Sequence, residues 1–100
     1  MLQVADLSLS PAVREVTRGG RKIALTRTEY GLLELLMKRA GRVVTRDNLI
    51  ESVWGFDSDV RGNTLDAFIR LLREKVDTNG EAKLIHTVRG VGYCLRAGET

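Results

Sequence analysis

Apolar and polar positions alternate along the first 25 residues. Residues 2–6 and Leu7–Ser10 place apolar side chains at every second position. Pro11 then interrupts the run, and Val13 and Val16 carry the apolar positions of a third run ending at Arg18. Gly19-Gly20 separates it from a fourth run, residues 21–25. A Gly-Gly pair between alternating runs marks a two-residue hairpin, because both turn positions need positive φ. The pattern predicts four short consecutive strands in an antiparallel sheet over residues 2–25, whose apolar face needs a helical layer to cover it.

At Thr26 the period becomes helical. Thr26-Arg27-Thr28-Glu29 has the form of a capping box, and Tyr30, Leu33, Leu36 and Met37 recur at helical spacing beside Leu32 and Leu35. Gly41 stops this helix, with Lys38 and Arg39 in the last turn where cations suit the dipole. Val43 and Val44 make a short β-like stretch, and Thr45 caps a second helix running to about Trp54 on Leu49, Ile50 and Val53. Residues 55–62 have little apolar content and read as a loop rich in Asp and Gly. A third helix over residues 63–76 gathers Leu65, Ile69, Leu72 and Val76 on one stripe, with Asn63, Ala67, Arg70 and Glu74 opposite. Asn79-Gly80 turns the chain, and strands at 84–88 and 93–96 are joined by Arg89-Gly90-Val91-Gly92. The order predicts an α+β fold: a winged helix-turn-helix with an N-terminal four-stranded antiparallel sheet (2–25), a three-helix core (26–76) and a C-terminal β-hairpin wing (84–96).

Composition narrows the chemistry. One hundred residues make a single domain, 1–100. No apolar run approaches the ~20 residues of a membrane helix, and residues 1–20 lack the pattern of a signal peptide, so a cytoplasmic protein is expected. One cysteine, Cys94, and one histidine, His86, leave no internal disulfide and no structural zinc site. They also leave no nucleophile–base–orienter set; His86 reads as a strand residue and Cys94 as a small packed one. Asp57 and Asp59 flank Ser58, but the twelve-residue EF-hand pattern is missing, and Gly90-Val91-Gly92 lacks the rest of a dinucleotide fingerprint. No enzyme, cofactor or metal is expected. The net charge of +3 and a pI of 9.4 permit a nucleic-acid partner without demanding one.

A helix in a major groove must bury one stripe and aim the other at base edges, where Asn can read adenine, Arg can fork to guanine and a small apolar residue such as Ala67 can meet a thymine methyl. The third helix has that division, with Arg73 at the flank and Leu71 partly turned out. A plain amphipathic surface helix with solvated arginines has it too. Likewise Arg89 on a glycine-flanked hairpin tip suits a narrow minor groove, and equally suits a tight turn with a solvated side chain.

Taken together, Leu25-Thr-Arg-Thr-Glu29-Tyr-Gly-Leu-Leu, Gly41-Arg-Val-Val-Thr-Arg46, Ser52-Val-Trp54-Gly55, Asn63-Thr64-Leu65-Asp66, Ile69-Arg70-Leu-Leu72-Arg73 with Lys75, and Thr87-Val-Arg89-Gly90-Val-Gly92-Tyr93 resemble the winged-helix effector domain of OmpR/PhoB-subfamily two-component response regulators. The resemblance implies sequence-specific binding to double-stranded promoter DNA, by a monomer that pairs head to tail on direct repeats. It places Asn63, Thr64, Ala67, Phe68, Arg70, Leu71 and Arg73 at bases or phosphates, Arg46 and Thr87 at the DNA backbone, and Arg89 in the minor groove. Trp54, Gly55 and Val60 fall in the loop that meets the sigma subunit of RNA polymerase. Phe68, Leu71 and Glu74 depart from the polar or basic residues common there, so the target sequence of relatives does not transfer; Phe68 is expected to turn inward beside Leu72. The family's receiver domain, addressed by a sensor kinase, has no counterpart here, and the resemblance implies an excised C-terminal domain with Met1 as an added start. Two other classes stay open: a winged helix used only for protein–protein contact, and an RNA-binding module, against which stands an aromatic content of 5%.

Overall fold

The computed structural model describes residues 1–78 and 80–98. Its elements run β1 (Leu2–Val4), β2 (Leu7–Ser10), β3 (Glu15–Arg18), β4 (Arg21–Ile23), α1 (Arg27–Lys38), β5 (Val43–Thr45), α2 (Arg46–Trp54), α3 (Gly62–Val76), β6 (Ile85–Val88) and β7 (Gly92–Leu95). The first four strands form an antiparallel sheet in sequence order, with Leu7 opposite Arg18 and Val16 opposite Ile23. Helix α1 packs against this sheet at β1, α2 and α3 pack on α1 and on each other, and Leu7, Leu9, Leu32, Leu33, Leu36, Leu49, Leu65, Ile69 and Leu72 lose all contact with solvent.

Several local signals act as expected. The Thr26 hydroxyl accepts from the Glu29 amide at 3.2 Å while the Glu29 carboxylate accepts from the Thr26 amide at 2.9 Å. Thr45 caps α2 through the Asn48 amide. Others do not. The first strand ends at Val4, because Ala5 and Asp6 form a turn with Ala5 at φ +52°, a conformation that a non-glycine residue seldom advertises. Val13 lies outside β3 in the preceding turn and is 71% exposed. Next to it Arg14 sits at φ +54° with its guanidinium 4.1 Å from the centre of the Tyr30 ring. Gly41, at φ +85°, lies two residues beyond Arg39, which caps α1, and its amide donates to the Leu95 carbonyl of the wing sheet. The Asn79-Gly80 turn includes Asn79, which lies outside the described residues.

The wing is a three-stranded sheet in the order β5-β7-β6. Val43 pairs with Cys94, and β7 becomes the central strand, buried along its whole length. Gly92 belongs there because a Cβ would run into the Val44 carbonyl.

Among the described residues two charged side chains are sealed in at 2% exposure, and both are paired. Arg18 on β3 donates to the Asp77 carboxylate at 2.7 Å, the Val76 carbonyl at 2.8 Å, the Ala82 carbonyl and Asp6. Asp77 in turn accepts from the Leu84 and Ile85 amides, so the N-terminal sheet, the end of α3 and the start of the wing meet at one guanidinium. Glu29 accepts from Lys75 of α3 at 2.6 Å.

Candidate nucleic-acid interface

The outer face of α3 is built by its own periodicity. Leu65, Ile69, Leu72 and Val76 are fully buried, and the residues between them are driven outward. Asn63, Thr64, Ala67, Arg70 and Leu71 are all exposed, with Leu71 at 39%. Arg70 reaches across one turn to Glu74 at 3.7 Å, both of them open to solvent, which is a weak pair that a stronger acceptor can displace. The helix starts without a side-chain cap, and the Thr64 and Leu65 amides donate to the Arg61 carbonyl at 3.0 and 3.2 Å.

Arg73 bridges α3 to the wing. Its Nε donates to the Ile85 carbonyl at 3.2 Å, its Nη2 to the Thr87 hydroxyl, and its guanidinium lies 5.5 Å from the Tyr93 ring centre. Arg73 and Thr87 are thus each other's partners. At the wing tip Arg89 is exposed, beside Gly90 at φ +74°.

Arg46 opens α2 and is not a free cation. Its guanidinium forks onto the Asp66 carboxylate of α3 at 2.7 and 2.9 Å, and the Tyr93 hydroxyl donates to the same carboxylate at 2.6 Å. Burial alone would raise the Asp66 carboxyl, but these bonds outweigh it and hold it below its ordinary value of 3.8. The bond to Asp66 raises the Arg46 guanidinium in turn. Tyr93 is pushed above its ordinary 10.0 by burial and then by the Asp66 carboxylate. In the sequence Asp66 and Tyr93 stand out only as motif positions, not as site residues, because a carboxylate on the flank of the third helix has no local signature.

The loop after α2 is anchored at its start by an aromatic pair. Trp54 ends α2 half-buried, its ring centre 5.5 Å from that of Phe68 at 58°. Phe68 therefore packs on Trp54 at the edge of the core, half-buried, and turns away from the reading face. Gly55 reverses the chain at φ +101° and Val60 is half-buried. The exposed apolar side chain in this loop is Phe56, 84% open, which a reading of apolar density passes over.

Comparison with known proteins agrees with this architecture. Residues 20–95 match the family described as transcriptional regulatory protein, C terminal. The chain belongs to that family, the OmpR/PhoB-type winged-helix domain of response regulators. Response regulator MprA of Mycobacterium ulcerans is 56% identical over 92 residues, covering 92% of this chain and 40% of the relative. The chain thus spans about two fifths of the curated relatives it matches. Among solved structures of the family, the Klebsiella pneumoniae RstA DNA-binding domain in complex with the RstA box has a TM-score of 0.83 and 31% identity, with 95% of each chain covered. Response regulator DrrB of Thermotoga maritima, an OmpR/PhoB homolog, has a TM-score of 0.81 and 29% identity over 94% of this chain and 43% of that one. No helix among the described residues is long and apolar enough to cross a membrane.

Proposed function

We propose that this chain binds promoter DNA sequence-specifically as the effector module of a cytoplasmic response regulator, reading the major groove with α3 and the minor groove with Arg89. The division of α3 carries the reading: one stripe sealed against the core, and Asn63, Thr64, Ala67, Arg70 and Leu71 outside, on a helix braced to the wing by Arg73. Asn63 and Arg70 supply donors for base edges, Ala67 and Leu71 apolar contact, and the Thr64 and Thr87 hydroxyls phosphate contacts. The chemistry is binding, not catalysis. Phe56, beside Asp57 and Asp59, and Val60 face a basic, apolar-lined surface on RNA polymerase, at its sigma subunit. In the full-length regulator a receiver domain phosphorylated by a sensor kinase brings two such modules head to tail on direct repeats.

Selection of bound duplexes from a random DNA pool tests the reading, followed by titration of the selected site over a salt series. A selected consensus with a steep salt dependence supports it. No enrichment, or no mobility shift at low salt, leaves a module for protein contact only.

A further inference from the structure

Arg46 and Asp66 meet where three elements converge. Arg46 begins α2, and its amide donates to the Val91 carbonyl at the wing tip at 3.2 Å. Its side chain forks onto Asp66 of α3, and the Tyr93 hydroxyl of β7 donates to the same Asp66 Oδ1 that Arg46 Nη1 meets. Gly62 leaves the space: a Cβ there would fall on the Arg46 guanidinium. A bidentate pair fixes direction as well as distance, so the start of α3 and the wing tip are held at one spacing. The pair is a little over a third exposed on each side, 38% and 43%, so it faces the same solvent that DNA would displace.

We propose that Asp66 is a positioning residue for DNA reading, which clamps α3 to the wing tip through Arg46 and removes the Arg46 charge from the phosphate-binding surface. The clamp gives up nonspecific affinity for discrimination. A phosphate contact from an unpartnered Arg46 would strengthen binding to every sequence alike, whereas a fixed spacing between α3 and Arg89 makes the two grooves be read in register. This inference rests on the DNA-reading function proposed above.

The experiment uses the chain with the duplex selected by the parent protein and with a scrambled duplex, each titrated over a salt series. Asp66→Asn frees Arg46, so the plot of log K against log salt should steepen by about 0.9. The ratio of selected to scrambled affinity should fall on the order of tenfold, the scale of one lost base contact. The double variant R46Q/D66N restores the parent's net charge, so its slope should match the parent while its ratio stays low. Tyr93→Phe removes one bond and no charge; it should lower the ratio at unchanged slope, and carries the test where Asp66→Asn fails to fold. A ratio unchanged in the double variant or in Tyr93→Phe overturns the positioning role, and a slope unchanged in Asp66→Asn overturns the charge cancellation. A parent chain that selects no duplex overturns the DNA-reading function itself, and the clamp's role with it.

Discussion

Arg18 shows what one buried guanidinium can join. It sits at the end of β3 in an alternating run, and nothing beside it in sequence distinguishes it from Arg21 or Arg14. Its acceptors on Asp77, Val76 and Ala82 lie 58 to 64 residues away. Removing it strands the Asp77 carboxylate, itself 4% exposed, without its counter-ion. Arg18→Ala should therefore cost about 3–5 kcal/mol, read as a shift of the urea midpoint. A shift under about 1 kcal/mol would show that Leu84 and Ile85 satisfy Asp77 unaided. Arg70 is the opposite case, open and only loosely held by Glu74. Arg70→Ala should leave the midpoint within about 0.5 kcal/mol. In DNA titrations it should cost about 1–3 kcal/mol on the selected site and relax preference at one base pair. A uniform loss across sequences would make it a phosphate contact. The exposed stripe holding Arg70 was legible from periodicity; the Arg18 network was not, because burial of a charge depends on partners the local pattern does not contain.

Among elements, α1 and the wing sheet give separable tests. Burial pushes the Glu29 carboxyl up, but Lys75 and the Thr26 amide outweigh it, and the carboxyl titrates below its ordinary 4.5. A group whose folded value is depressed contributes stability that is complete above the unfolded value and lost as pH falls through the folded one. The urea midpoint should therefore hold above about pH 4.5 and drop below it as Glu29 protonates, with Asp66 adding to the fall. Glu29→Gln should lower the midpoint near neutrality and flatten the acid limb; an acid limb as steep as the parent's would place the titration elsewhere. In the wing, Gly92→Ala drives a Cβ into the Val44 carbonyl, a backbone atom that cannot swing aside. A loss on the order of 1–3 kcal/mol is expected, with faster amide exchange in β5 and β7. An unchanged midpoint would mean that β5 yields its place cheaply.

For the molecule as a whole, the DNA-reading face and the tip of the loop after α2 are carried by different residues, although the root of the loop packs on α3 through Trp54 and Phe68. Trp54 and Phe68 pack together and leave Phe56 outside. Changing exposed Phe56 or half-buried Val60, neither of which lies on the outer stripe of α3, should therefore spare DNA binding. In the full-length regulator, Phe56→Ala and Val60→Asp should lower transcription from a target promoter several-fold while operator affinity stays within about twofold, a difference below 0.5 kcal/mol. Equal losses in both assays would assign the loop to the DNA surface. The net charge of +3 is small, because thirteen Asp and Glu offset sixteen Lys and Arg, so one copy offers DNA little excess positive charge. Tandem sites should accordingly bind far more tightly than a single site at the same salt, through the effective concentration of a second module; equal affinity for single and tandem duplexes would count against head-to-tail pairing.

The amino-acid sequence by itself determined the features written within a few residues: the capping box at Thr26, the Thr45 cap, the Gly19-Gly20 hairpin, the stripes of α1 and α3 and the glycine-tipped wing. Each depends on short-range hydrogen bonding or on a repeat of 2 or about 3.6 residues, which any folded context reads in the same way. Local chemistry did not reveal the turn at Ala5, since alanine is no signal for positive φ. Only the tertiary structure decided that Val43 and Val44 complete the wing sheet, that Trp54 turns in while Phe56 stays out, and that Arg46 spends its fork on Asp66 20 residues away. Whether an arginine is a solvated charge or half of an ion pair is settled by what folding brings within about 3 Å of it.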